Sequence, residues 1–195
     1  MILNHVAETI FVRNLRRRPD RLEHMQQQME RIGADYIVFD CADNRGTKAS
    51  AMWWNVQNAL QCIRYAKKIG LGNVLLLDDD CLFVDDFTER FASLWPHMPG
   101  DWDIVSFGEI FGVGQDVYPG IVRAIQSWGG HASLIRNTMY DRILETLTGD
   151  EWADEEINLK LKPHINFYVF RPYLVTQIPG YSDLVDHHKH NKGFQ

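Results

Sequence analysis

Asn73-Val74-Leu75-Leu76-Leu77-Asp78-Asp79-Asp80 sets an uncharged, almost wholly apolar run directly against three carboxylates. A run apolar at successive positions is buried on both faces, as strands of parallel sheets covered by helices are. In open sheets of that kind ligands gather at the carboxyl ends of the strands. The segment therefore predicts an architecture, and its acidic end predicts where a site lies on it.

The flanks agree with that reading. Upstream, Thr9 to Asn14 is β-branched and aromatic and reads as a first strand ending at the basic turn Arg16-Arg17-Arg18. Pro19 suits a first helical turn, Leu22, Met25, Met29 and Ile32 share one face, and Gly33 closes the helix. Tyr36 to Phe39 reads as a second strand. Ala49 to Ile69 reads as a helix with Val56, Leu60 and Ile63 inward, ended by Gly70 and Gly72. Downstream, Phe87 to Trp95 is expected to be helical and Trp102 to Phe107 a strand. Ile121 to Ile125 and His131 to Ile135 are expected to form a β pair, and Asn137 to cap a helix through Leu147. Asp154 to Leu161 reads as a further helix, followed by strands near Phe167 to Phe170 and Leu174 to Gln177. The alternation of β and α predicts a Rossmann-like α/β fold with a mixed, mostly parallel central sheet flanked by helices.

The chain has 195 residues, 45% hydrophobic and 24% charged, which suits one domain over 1–180 and a polar, His-rich tail over 181–195. Its net charge of −6 disfavours nucleic acid as a partner. No apolar run reaches the ~18 residues of a membrane span, which leaves peripheral membrane contact open, and the first residues lack the pattern of a secretory signal. Cys41, Cys62 and Cys81 are odd in number and widely spaced, so reduced thiols and a cytoplasmic location are expected.

Alternation along an extended chain puts Asp78 and Asp80 on one side and Asp79 on the other. Two carboxylates on one side suit Mg²⁺ or Mn²⁺, and a bound cation relieves their mutual repulsion. The plainer reading is an acidic turn at a strand end, with Asp85-Asp86 capping the next helix. The Arg16 to Arg18 turn is a candidate site for one anion, or more plainly a solvated helix start with Arg21 pairing Asp20 or Glu23. Asn14 and Asp43, after the first two strands, are nucleotide contacts by position. Gly129-Gly130 admits close approach of a ligand to the backbone or forms an ordinary turn. His131 reads as a packed strand residue, and Trp53, Trp54 and Trp128 either stack on sugar faces or fill the core.

Ile10-Phe11-Val12-Arg13-Asn14-Leu15-Arg16-Arg17-Arg18-Pro19-Asp20-Arg21-Leu22 resembles the opening of glycosyltransferase family 25, which includes lipooligosaccharide and procollagen galactosyltransferases. The resemblance continues at Leu77 to Phe83, at Trp128-Gly129-Gly130-His131-Ala132-Ser133-Leu134-Ile135 and at Gln177 to Asp183, in the family's order. The chain departs from the family at Met52-Trp53-Trp54-Asn55 and Asn58, and at Asp78, where Glu is common. The resemblance implies a GT-A glycosyltransferase that moves a sugar, galactose by analogy, from a uridine diphosphate donor to a hydroxyl of a glycan acceptor, here of lipopolysaccharide type. It implies Mn²⁺ or Mg²⁺ on Asp78, Asp80 and a tail residue, His188 before His187. It also implies nucleotide contacts from Asn14, Arg18, Asp43 and Asp79, with Gly129 and Gly130 against the sugar. Asp154 or Glu155 is then the base of an inverting reaction, with Glu156 the remaining choice. The alternatives are a metal-dependent phosphoryl or nucleotidyl transferase and a non-catalytic relative that binds sugar nucleotides. An Asp154-Glu155-Glu156 run facing the cleft favours an enzyme; one facing solvent favours a binder.

Overall fold

The computed structural model describes residues 2–43, 45, 49–182 and 187–189, with the backbone alone described for 180–182 and 187–189. Its elements run β1 (Ile10–Leu15), α1 (Pro19–Ile32), β2 (Ile37–Cys41), α2 (Ala51–Lys68), β3 (Asn73–Asp78), β4 (Cys81–Phe83), α3 (Phe87–Leu94), β5 (Ile104–Ser106), β6 (Phe111–Tyr118), β7 (Ile121–Trp128), β8 (Ala132–Arg136), α4 (Tyr140–Thr146), α5 (Ala153–Glu156), β9 (Phe167–Phe170), β10 (Val175–Gln177), β11 (Gly180–Ser182) and β12 (His187–Lys189).

Eight strands form one sheet in the order β2-β1-β3-β8-β5-β9-β7-β6. Six of them point one way, and only β7 and β8 oppose them. Alternation along β3 divides its apolar residues between two cores. Leu75 and Leu77 face α1 and α3, where Met25, Met29, Phe87 and Phe91 pack. Val74 and Leu76 face α2 and α4 through Val56, Leu60, Ile63 and Ile143. The chain runs from β1 out to β2 and back across to β3, so strand order reverses at β1 and opens a crevice at the carboxyl ends of β1 and β3.

Local signals behave as their chemistry requires. Pro19 occupies the first turn of α1, Gly33 ends it with φ 62°, and the Ser50 hydroxyl accepts from the Trp53 amide to start α2. Three expectations are corrected. The segments around Ile121 and His131 do not pair with each other: β7 lies between β9 and β6, while β8 lies between β3 and β5. Pairing is set by long-range packing that strand propensity does not encode. Asn137 opens a 3₁₀ turn before α4 and its side chain caps nothing; Asp86 stands before α3 without a side-chain cap bond as well. Strand β6 is exposed along almost its whole length and holds Gly112, Gly114, Gln115 and Asp116, so it carries no buried alternation to read.

Candidate active site

Asp78 is the last residue of β3, and Asp79-Asp80 form a tight turn into β4. The extended alternation therefore stops at Asp78, and Asp79 and Asp80 share a partner. The Arg21 guanidinium of α1 lies 2.7 Å from Asp79 Oδ1 and 3.6 Å from Asp80 Oδ2. Asn14 Nδ2 donates to the other oxygen of Asp79 at 2.8 Å, and Gln177 Nε2 to Asp80 Oδ1 at 2.9 Å. Asp78 pairs with Arg13 of β1, a neighbour because β1 and β3 run side by side. Burial pushes the Asp79 carboxyl above its ordinary value, and Arg21 opposes that shift without cancelling it. Among the described residues, three carboxylates thus face two guanidinium groups.

The basic turn does something else. Arg16 pairs with Asp40 at the surface, Arg17 Nε reaches Asp43 at 2.8 Å, and Arg18 grips Asp20 at 2.7 and 2.9 Å. Arg18 holds the Asp20 carboxyl down to about 2. Arg21 does not pair with Asp20 or Glu23, because the first turn of α1 aims it at the acidic turn. The cations beside the acids are therefore Arg13 and Arg21, which sequence reasoning missed. Their only signal was an odd placement: Arg13 sits inside an apolar strand, and Arg21 one residue before the buried helical face.

A cavity of about 430 Å³ opens beside Asp78. Its mouth brings together Arg13, Asp78, Gly129, Gly130, Asp154 and Glu155, with His131 and Gln177 also on its wall. Strand β4 pairs with β10, Cys81 opposite Gln177, and this pairing carries Gln177 to Asp80. Asp154 Oδ2 accepts from the Gly129 amide at 2.9 Å and its Oδ1 from the Glu155 amide at 3.1 Å. Gly129 has φ 97° and the Ile110 amide within 2.9 Å of where a Cβ would stand, so both conformation and space demand glycine. Glu155 Oε2 accepts from the Trp128 indole at 2.9 Å, and its other oxygen has no bond among the described residues.

Glu156 belongs elsewhere. Its carboxylate is fully buried and takes bonds from the Thr148 amide and hydroxyl, the Gly149 amide and Lys160. Burial works against its charge, but those bonds outweigh burial and hold its pKa below the ordinary value. Asp154 and Glu155 face the cleft, and Glu156 clamps the loop behind them.

Asn14, Arg18, Asp43, Asp79 and Asp80 do not line the cavity. Asn14 and Asp79 are held together behind its acidic edge, while Arg18 and Asp43 lie among surface ion pairs. His131 is buried with Nε2 3.2 Å from the Val175 carbonyl. Trp53 and Trp54 pack edge to face against each other away from the cavity; Trp128 and the unforeseen Trp152 line it. The backbone at His188 pairs with Tyr181 between β11 and β12, and its side chain, with Asp183, Asp186 and His190, lies outside the described residues.

Lys162 was also missed. It is buried at the cavity wall, donates to the Ser127 carbonyl at 2.9 Å and to Asn158 Oδ1 at 2.6 Å, and stands over the Phe167 ring. Burial pushes its ammonium down to about 8, against the pull of Glu109 and Asp154. Residues 157–161 form a π-helical turn that puts Asn158 and Lys162 on one side. A lysine in a polar segment before Pro163 gives no sequence cue to that burial. All three cysteines are free, and burial raises their thiols, Cys41 to about 11 and Cys62 to about 12.

No protein-family model matches the chain, and no curated protein sequence does. Among solved structures it is similar to a glycosyltransferase involved in the glycosylation of the major capsid of PBCV-1, with TM-score 0.60 and 11% identity over 89% of this chain and 93% of that one. It is also similar to a UDP-glucose pyrophosphorylase complexed with UDP-glucose, with TM-score 0.51 and 8% identity over 83% and 89%. At these identities the likeness is one of fold, and the fold is the GT-A type that glycosyltransferases and sugar nucleotidyltransferases share. It does not reach family 25 in particular. Among the described residues no helix is long and apolar enough to cross a membrane, and no group of three His, Cys, Asp or Glu could hold a metal.

Proposed function

We propose that the chain is a glycosyltransferase that moves a sugar from a nucleoside diphosphate donor to a hydroxyl of a carbohydrate acceptor, with inversion at the anomeric carbon. One observation carries the reading: Asp78 and Arg13 from the first half of the chain and Asp154 and Glu155 from the second share the mouth of a single cavity at the strand ends. Glu155 is the base. Its second carboxylate oxygen is open to an acceptor hydroxyl, whereas both oxygens of Asp154 are taken by amides. The acceptor oxygen attacks the anomeric carbon as its proton passes to Glu155, and the bond to the diphosphate breaks on the far side. Arg13, whose Nε has no partner among the described residues and whose side chain is 8% exposed, offsets the charge that grows on the leaving phosphates. Asp154 holds Gly129 by its amide, and the indole of Trp128 holds Glu155.

The residues fit a divalent cation to a definite extent. Among the described residues the turn sets three carboxylates against two guanidinium groups, and Mg²⁺ or Mn²⁺ needs only one or two carboxylates when phosphates complete its shell. Asp78, at the cavity, and Asp80, once Arg21 or Gln177 is drawn off its oxygens, would hold it with His188 from the tail, and it would supply Lewis acidity toward the leaving diphosphate. The proposed donor is uridine diphosphate galactose and the proposed acceptor a lipopolysaccharide-type glycan, both by resemblance. Asn14, Asp79, Arg18 and Asp43 are the proposed nucleotide side of the site. The proposed setting is the cytoplasm, which three unpaired cysteines suit. The proposed unit is one catalytic domain over 1–180 and a tail over 181–195.

Nucleotidyl transfer on the same fold is the weaker reading. The β1–α1 turn is Arg16-Arg17-Arg18, without the glycines that let backbone amides cradle a triphosphate. Calorimetry with a panel of nucleoside diphosphate sugars, each with and without Mn²⁺, tests the proposal. Metal-dependent binding of one donor, followed by sugar transfer, is expected; binding of none would leave the fold without this activity.

A further inference from the structure

Below its polar mouth the cavity is lined mainly by hydrocarbon, with Ser133 and Lys162 among it. Four neighbouring strands, β3, β8, β5 and β9, present Leu76, Ile135, Ile104 and Phe167 on one face. Ile63 of α2 and Ile143 of α4 stand opposite. All six are otherwise buried, so the inner wall of the cavity is made by the second core. Protein interiors seldom leave voids larger than a water molecule, and atoms lining an empty one forfeit contacts. A cavity of about 430 Å³ lies within the range of small-molecule sites, which combine an apolar lining with a few placed polar groups. A sugar ring, with hydroxyls on every carbon, matches the mouth and not this floor. Two apolar side chains lead to it from outside: Ile110, 51% exposed, and Trp152, 39% exposed, both line the cavity.

Building on the glycosyltransferase reading, we infer that the acceptor is amphipathic: its sugar lies at Asp78, Asp154 and Glu155, and an alkyl aglycone fills the apolar floor between the sheet and α2–α4. Continuity argues for the aglycone of the acceptor rather than an unrelated lipid, because floor and mouth are one cavity. The Asp154–Glu155 segment forms its rim, where the acceptor must approach the base. Lys162 stands over the Phe167 ring with its ammonium held by Ser127 and Asn158, so that end of the floor is polar and the alkyl chain lies toward Leu76, Ile104, Ile63 and Ile143.

The test uses the full chain and the fluorescent apolar probe N-phenyl-1-naphthylamine, displaced by methyl, hexyl and decyl glucosides below their micelle concentrations. Displacement should tighten by about four-fold per added methylene until the floor is full, since each buried CH₂ contributes ~0.8 kcal/mol. Ile143→Phe, which fills the floor, should bring the decyl compound down to the level of the methyl one while donor binding and the melting temperature hold. Equal displacement by all three glucosides on the parent protein overturns the inference by itself, whether or not the variant folds. Chain-length dependence that survives in folded Ile143→Phe overturns it too. Donor calorimetry separates the two readings. Donor binding without a chain-length effect removes the aglycone site and leaves the transferase, whereas a chain-length effect without donor binding leaves an apolar site and removes the transferase.

Discussion

Two acidic runs, Asp78-Asp79-Asp80 and Asp154-Glu155-Glu156, look alike as strings and behave differently as structure. The first is answered by arginine: Arg13 takes Asp78, and Arg21 sits between Asp79 and Asp80. The second meets neutral donors at the cavity, the Gly129 amide and the Trp128 indole, and reserves its lysine for the buried third member. A carboxylate held by neutral donors keeps its charge and can still accept a proton in a reaction. One locked to a guanidinium is a poor base, and suits fixing geometry. Charge partners, not residue type, separate the two roles.

The sharpest way to break that contrast is Glu155→Gln. Transfer should fall by ~10²-fold or more with donor affinity unchanged; steady-state kinetics beside calorimetry reads both, and unimpaired transfer would end the assignment. Asp154→Asn should cost less, because its one remaining oxygen still accepts from one of the two amides, Gly129 or Glu155, and only the other bond is lost. Next in size is Glu156→Ala, which leaves the buried Gly149 amide and the part-buried Thr148 amide without their acceptor and should destabilise the fold by about 3 kcal/mol in urea titration. A loss of activity without a loss of stability would move Glu156 to the cavity side of the comparison.

Smaller, but opposite in sign for the two runs, are their acid responses. The native Glu156 carboxyl lies below 4.5, so the stability it adds is present above 4.5 and is lost as pH falls through its native value. The native Asp79 carboxyl lies above 3.8, so the folded state takes up that proton first, and its contribution improves as pH falls through the raised value. Melting curves of Glu156→Gln and Asp79→Asn from pH 2 to 7, each subtracted from the parent, should slope in opposite directions. Parallel slopes would mean that the two buried acids are held alike. The smallest effect belongs to the basic turn. Arg16 and Asp40 are exposed, and Arg16→Ala should change stability by no more than about 0.5 kcal/mol, with donor affinity intact by calorimetry.

Much of the frame was legible in advance because its causes are local. The apolar run of β3, Pro19 and Gly33 around α1, and the glycine after α2 each act within a few residues. The acidic end of β3 does mark the site, as the habit of open sheets requires. The pairing of β7 and β8 was misjudged because both read as strands and nothing local names a partner. Strand β6 was invisible because exposure leaves no apolar alternation. At the site, Asp78, Gly129, Gly130, Asp154 and Glu155 were named and meet at one cavity, while Arg13, Arg21, Gln177 and Lys162 were passed over.

The sequence by itself determined the α/β alternation, the helix ends and the place where carboxylates meet the strand ends, since period and backbone preference are properties of short segments. Only the tertiary structure decided which cation answers which acid, which carboxylate stays available, and that an apolar floor lies beneath a polar mouth. Arg21 reaches Asp79 across 58 positions and Gln177 reaches Asp80 across 97. Electrostatic partnership and cavity shape depend on distance in space, which no window along the chain contains.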